Sequence, residues 1–439
     1  MPDILSPPHR PGRRRGISIP WPSDQYIIGL LLLGTLLATL QLLTLGVAAL
    51  AAFILLYAFV ERQALLKNIY VLPILALLGY GLLSALWSDY PRQTIYYGIQ
   101  IVLTGMIGLI FASSPRPFDT LFGLATALII HSTLSHILGK YVPWEHGEVV
   151  FVGIAGSKNN YGSISSLTTM TSLGLLYAAI HLRRRWVMAL ASWGILVGTL
   201  GLVRSLATGN FIATVACCMF LMYINVYRVL PPRVRLATNL YAIYTVVCVG
   251  LVFFFVKDQL MTLVLTTLNK DVTLTGRTEI WDVAFEQIKH HFWLGVGQSA
   301  FWVEGNPPAE FIWQSHGIAG KRGFNFHNTY LEIMVHFGLI GSVVFGVTLL
   351  FLIYKAFENT FKNPTIMNGI WLTFVLHFIL LSPVESFNFT PINFYTVFLI
   401  AALARHPKIA TLEIVNPWQG IFSSGPEREA ARIEKAAAR

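Results

Sequence analysis

About twelve apolar runs follow one another along this chain, most of them near the roughly 20 residues that a helix needs to cross a hydrocarbon core. They fall at 26–42, 44–60, 69–87, 95–112, 118–138, 161–181, 186–203, 208–227, 239–256, 330–354, 366–382 and 391–404. A bilayer offers no water to unpaired peptide groups, so such runs become helices packed side by side. Only 12% of the 439 residues are charged, against about 25% in soluble domains, which leaves ordinary soluble folds out. The expected fold is an all-α polytopic membrane protein of about 12 transmembrane helices, the first two short and paired. Arg13-Arg14-Arg15 before an apolar stretch also describes a secretion signal. The stretch from Tyr26 to Val60 is far longer than a signal core and lacks a cleavage site, so it reads as an uncleaved hairpin breaking near Gln41–Thr44.

The net charge of +10 is scattered over short loops instead of gathered on one face, which argues for membrane orientation and against nucleic acid. With the N-terminus inside, alternate loops collect Arg62 and Lys67, Arg116, Arg183-Arg184-Arg185, Arg228, Arg233 and Arg235, then Lys355 and Lys362. The tails 1–25 and 405–439 add more, so both termini are expected in the cytoplasm around a membrane domain at 26–404. Cys217, Cys218 and Cys248 all lie in apolar runs, which fits neither a disulfide framework nor a zinc site.

Three segments then fall outside: 139–160, the tight turn 203–210, and a long loop at 257–328, too large for a passive connector. In the last, Ile280, Trp281, Ala284, Phe285 and Ile288 repeat with helical spacing and predict an amphipathic helix at 278–291 on the membrane–water interface. Gly295, Gly297 and Gly305-Asn306-Pro307-Pro308 are expected to end it and open a mobile loop.

The candidate chemistry sits in these outer segments. Arg277, in Thr275-Gly276-Arg277-Thr278, precedes the amphipathic helix, where a guanidinium fork and free backbone N–H groups suit a phosphate. The competing reading is an arginine on lipid headgroups. His327, in Phe326-His327-Asn328-Thr329-Tyr330-Leu331, enters the tenth span and can take a proton near neutral pH. Asn328, Glu332 and His336 follow at i, i+4 and i+8 as one polar stripe facing a bundle interior. An interfacial His327 capped by Asn328 is the alternative. Arg204 and Lys158 both break the charge trend at outer helix ends, the latter beside Asn159 and Asn160. Arg322 is a weaker cation for the same anion, and interfacial placement accounts for it, Lys321, Arg92 and Lys289 equally well. Together an arginine and a histidine on one side of a bilayer point to group transfer from a lipid-linked phosphate donor. There is no Asp-x-Asp pair, P-loop, Gly-x-Ser-x-Gly elbow or His-Glu-x-x-His helix, so neither a metal nor another cofactor is expected, and a donor already activated by diphosphate fits.

With those residues in place the chain resembles the O-antigen ligase/polymerase superfamily of bacterial membrane glycosyltransferases, and within it exopolysaccharide polymerases of the ExoQ/Wzy type. The resemblance covers roughly 70–400. It rests on Ser84-Ala85-Leu86-Trp87-Ser88-Asp89-Tyr90-Pro91, Lys158-Asn159-Asn160-Tyr161-Gly162 and Arg204-Ser205-Leu206-Ala207-Thr208. The remaining pieces are Leu274–Trp281 with Gly295-Val296-Gly297, and His327–Leu331 with Gly338-Leu339-Ile340-Gly341. It implies a GT-C-like helical fold in the bacterial inner membrane, with the site facing the periplasm. It also implies metal-free, inverting transfer of an oligosaccharide from undecaprenyl diphosphate to a glycan. Other polysaccharide assembly proteins are possible partners. Carried over by motif, Arg277 binds the diphosphate and His327 activates the acceptor hydroxyl. Arg204 is a second diphosphate contact, although the common form has a Ser-Arg pair at this turn. A polymerase extends one lipid-linked repeat with another, whereas a WaaL-like ligase hands the glycan to lipid A–core; Lys158-Asn159-Asn160 and Ala207-Thr208 favour the polymerase. A lipid-linked oligosaccharide flippase would instead place its ionisable groups near mid-span, and a scaffold would need neither Arg277 nor His327.

Overall fold

The computed structural model describes residues 62–113, 117–143, 149–268, 277–318, 320, 324–386, 391 and 393–405. The expected spans 26–42 and 44–60, the tails 1–25 and 406–439, the motif residues 274–276 and Arg322 lie outside the described residues. The helices are α1 (Arg62–Lys67), α2 (Val71–Leu83, continued by a 3-10 turn Ser84–Leu86), α3 (Pro91–Ser113) and α4 (Pro117–Leu138). A ribbon of β1 (Lys140–Pro143) and β2 (Val149–Gly153) precedes α5 (Lys158–His181), α6 (Arg185–Ser205), α7 (Thr208–Tyr227) and α8 (Pro232–Leu268). Then come α9 (Arg277–His290), α10 (Pro307–Ser315), α11 (Thr329–Lys362), α12 (Ile366–Leu381) and α13 (Phe394–Leu403).

Among the described residues seven helices are long and apolar enough to cross a membrane: α3 to α8 and α11. Shorter apolar helices occupy Val71–Leu86, Ile366–Leu381 and Phe394–Leu403. The polytopic helical reading therefore stands in its coarse form. The all-α expectation needs one correction. Tyr141 and Val142 pair with Phe151 and Val150 in an antiparallel ribbon, because aromatic and β-branched residues suit a pleated surface.

Helices approach closely where small residues face one another. Gly194, Gly198 and Gly201 of α6 lie over Ser172, Thr169 and Ser165 of α5. The long segment between α8 and α11 builds a second core of its own, in which Ile280 and Ala284 of α9 meet Val296, Phe301, Ile312, Trp313 and Phe326 against Val335 of α11. The predicted amphipathic helix is thus present as α9. Its buried face covers protein, and Phe285 remains exposed.

The glycine-rich stretch after α9 is a fixed strap, which corrects the expected mobile loop. α11 is interrupted at Gly338, whose φ of 59° and ψ of −163° no ordinary helix residue adopts. Backbone groups freed there are taken up by the strap: Val296 N–H donates to Val335 O and Gly297 N–H to His336 O, both at 2.9 Å. Leu339 N–H and Ile340 N–H in turn donate to Phe292 O and Trp293 O at 2.7 and 3.1 Å. The two backbones cross so tightly that a Cβ at Gly295 would collide with the His336 peptide. Irregular backbone at membrane depth survives only when its polar groups are paired inside the protein, and here they are. The Ser84–Tyr90 motif secures the strap from the other side. Trp87 Nε1 donates to Leu294 O (2.9 Å), Gln298 N–H to Ser84 Oγ (2.9 Å), and Tyr90 Oη to Gly305 O (3.0 Å).

Candidate active site

The entrance to α11 is pinned to the exit of α12. Asn328 caps α11, its side-chain oxygen accepting from Tyr330 N–H (3.0 Å) and Leu331 N–H (3.2 Å). Thr329 N–H donates to Ser382 O (2.8 Å), Thr329 Oγ1 to Glu385 O (2.7 Å), and Asn328 N–H to Ser386 Oγ (3.0 Å). These bonds carry Glu385 to a position between the two leading candidates. His327 Nδ1 lies 3.2 Å from Glu385 Oε2, and Arg277 Nη2 lies 3.5 Å from Glu385 Oε1. The Glu385 side chain is 10% exposed, and those of Arg277 and His327 are 18% and 19% exposed. The cluster is therefore sheltered yet reachable.

A carboxylate only accepts, so the His327 ring donates from Nδ1, and in the neutral ring the lone pair is on Nε2. His327 also holds a φ of 49°, in the left-handed region that non-glycine residues rarely occupy. Its N–H donates to Asn325 Oδ1 at 2.8 Å, which holds that turn. Backbone strain maintained in this way is a mark of positioning. Phe324 packs edge-on against the imidazole with centroids 5.7 Å apart.

Glu332 and Asn328, expected as supporting polar groups, both hold backbone. Buried Glu332 accepts from Trp302 Nε1 and from Phe326 N–H, each at 2.9 Å, and so fixes the residue before His327. His336 Nε2 is 3.6 Å from Glu332, too long for a hydrogen bond. The polar stripe is real and faces inward, where it braces the second core.

Arg204 lies apart from this cluster, enclosed by the ribbon. Its Nε and Nη2 donate to Tyr141 Oη at 3.2 and 3.0 Å, and Nη1 donates to His136 Nδ1 at 2.8 Å. Since an arginine cannot accept, His136 carries its proton on Nε2, which faces Val197 O at 2.9 Å. The guanidinium carbon stands 4.0 Å from the Phe151 ring centroid. The turn that bears Arg204 nonetheless adjoins the Glu385 segment, because a Cβ at Gly209 would lie 3.7 Å from the side chains of Leu381 and Val384. Lys158 is in the first turn of α5, behind the Ser157 cap, and is partly buried. Asn160 closes that loop through Nδ2 to Ala155 O (2.9 Å) and its own N–H to Ser157 Oγ (3.2 Å).

The structure thus joins Arg277 and His327 through Glu385 and sets Arg204 and Lys158 on neighbouring helix ends. Sequence reasoning missed Glu385, His136, Tyr141 and Trp302. A signal existed for the first of these: an acid just past the outer end of the apolar run 366–382.

Comparison with known proteins covers part of the chain. Residues 193–346 match the family model described as O-antigen ligase. The matched stretch holds Arg204, Arg277 and His327 and ends before Glu385. The exopolysaccharide production protein ExoQ of Rhizobium meliloti (strain 1021) is 29% identical over 279 residues, 62% of this chain. The match spans 61% of that relative's own length.

Proposed function

We propose, for a chain that belongs to the O-antigen ligase/polymerase superfamily, an inverting glycosyltransferase that moves an oligosaccharide from undecaprenyl diphosphate to a glycan acceptor at the outer face of the bacterial inner membrane. The observation that carries this reading is one carboxylate, Glu385, shared by Arg277 and His327. Glu385 keeps the lone pair of neutral His327 on Nε2 and stabilises the imidazolium that forms once the ring takes a proton. The acceptor oxygen attacks the anomeric carbon, its proton passes to Nε2, and the bond from that carbon to the diphosphate oxygen breaks. Attack opposite the leaving group inverts the centre. Charge gathering on the departing diphosphate is met by guanidinium groups, Arg277 first and Arg204 from the adjoining turn, with Lys158 and Arg322 as further cations. These fixed cations supply the electrostatic stabilisation of the leaving group, so we expect activity to survive chelation of divalent metals.

The relative's printed name, an exopolysaccharide production protein, suits our first reading, a polymerase of repeat units, and the family description, O-antigen ligase, keeps transfer to lipid A–core as the second. Purified protein in lipid nanodiscs, given the lipid-linked repeat alone or with lipid A–core, separates them on a gel. Longer lipid-linked chains from the repeat alone mean a polymerase. Product only with lipid A–core means a ligase. Flux of the repeat with no new glycosidic bond would replace both with a flippase. Arg277→Ala and His327→Ala should abolish product while leaving insertion intact; wild-type yield from both would sink the assignment.

A further inference from the structure

At the end of the bundle away from Glu385, another guanidinium is buried, and no described residue neutralises it. Arg405 follows α13 and is only 8% exposed. Its guanidinium carbon stands 5.7 Å from the ring centroid of Trp371, near the start of α12. Among the described residues Arg405 meets no carboxylate and no hydrogen-bond acceptor, and its Nη1 is wholly buried without a partner. The indole N–H of Trp371 is likewise buried and unpartnered. Asn68, which meets the residue preceding Arg405, is committed elsewhere: its Nδ2 donates to Ala404 O (2.8 Å) and Ser113 Oγ (3.1 Å), while its Oδ1 accepts from Tyr70 N–H (3.1 Å).

A buried ion normally keeps a counter-ion, and buried N–H groups normally keep an acceptor. Burial pulls the Arg405 guanidinium down to about 10, and no described residue sets an opposing charge beside it. What the described residues do not supply is an acceptor for this guanidinium or for the indole N–H beside it. We propose that Arg405 and Trp371 form a binding site for a phosphate-type anion, furnished by the headgroup of an acidic phospholipid. Arginine matches a phosphate with two parallel N–H donors, and basic pockets between membrane helices take such headgroups. On the orientation proposed above, the lipid belongs to the cytoplasmic leaflet. The site is separate from the transfer chemistry.

The test uses the full chain, purified in detergent and stripped of lipid, with melting followed as phosphatidylglycerol or inorganic phosphate is added. Wild type should be stabilised by phosphatidylglycerol and bind it about tenfold more tightly than Arg405→Gln, whose melting should not respond. Without lipid, Arg405→Gln should melt no lower than wild type, because it removes an unmatched buried charge. Trp371→Phe keeps the ring and loses one donor, so its affinity should fall between the two. Stabilisation of wild type by inorganic phosphate alone would identify a free anion as the source and leave the site standing. Equal responses of wild type and Arg405→Gln, or no response of wild type to either additive, would overturn it. If Arg405→Gln does not fold, Arg405→Lys and Trp371→Phe carry the same comparison.

Discussion

Arg277 pairs with Glu385, the turn that bears Arg204 adjoins the segment leading to Glu385, and the two cations are held in opposite ways. Arg277 faces a carboxylate that it shares with His327, so its charge is offset until the imidazole takes a proton or an anion competes for it. Arg204 meets only neutral groups: a phenol hydroxyl, a neutral imidazole and an aromatic face. Its three nitrogens are committed, yet its full charge remains, because no carboxylate reaches it among the described residues. The difference assigns them separate tasks in the proposed reaction. Arg204 sets a standing positive potential that attracts an anion. Arg277 responds to the chemistry, since any shift in Glu385 towards His327 loosens its grip on the guanidinium.

The sharpest way to break this contrast is His327→Ala, which should lower the turnover of folded protein by about 10³ if the ring is the general base. A loss under tenfold would remove the chemistry from the Glu385 cluster. Next is Arg204→Ala, expected to cost about 10² in kcat/KM by withdrawing charge from the leaving group, with Arg204→Lys recovering part of it. Glu385→Gln keeps the shape and removes the negative charge. Turnover should fall by about tenfold as the imidazolium loses its partner, while the donor KM stays level or drops, opposite in sign to Arg204→Ala. A raised KM would mean that Glu385 binds substrate. Tyr141→Phe removes the hydroxyl that accepts from Arg204 and keeps the stacking, so about a threefold loss is expected. The smallest effect is expected for Asn328→Ala, about 1 kcal/mol of stability from the lost cap, read as a lower melting temperature with activity per folded molecule retained.

How far the site could be read in advance depended on distance along the chain. Arg277 and His327 stand out because a polar stretch interrupts apolar sequence, and Arg204 because it breaks the charge trend. The inward face of Glu332 and His336 follows from helical spacing alone. What joins them does not: Glu385 lies 108 positions from Arg277 and 58 from His327, and the cage of Arg204 comes from Tyr141 and His136, more than sixty positions upstream. Local pattern holds no information about such meetings. Asn328 is a case that local pattern leaves open between a group supporting the chemistry and a helix cap, and its side chain caps α11. Likewise Phe337-Gly338-Leu339-Ile340-Gly341 reads as the middle of a span, and only the strap that fills the break distinguishes it.

The break in α11 also bears on the height of the proposed site. At 1.5 Å per residue a straight helix of 34 residues would rise roughly 50 Å, whereas the 16 residues of α12 rise roughly 24 Å. The two helices are joined by a short link at one end, and at the other Thr329 is hydrogen-bonded to Ser382. Lengths so unequal close into a triangle only if residues 329–337 fold back sharply at Gly338. Residues 339–362, roughly 36 Å long, then suffice to cross a hydrocarbon core of about 30 Å. The returning arm brings His327 level with the end of α12, which in the orientation proposed above is the outer rim of that core. In the reaction proposed above a polyprenyl carrier would hold its diphosphate at that height, so this one glycine would decide whether base and leaving group share a plane.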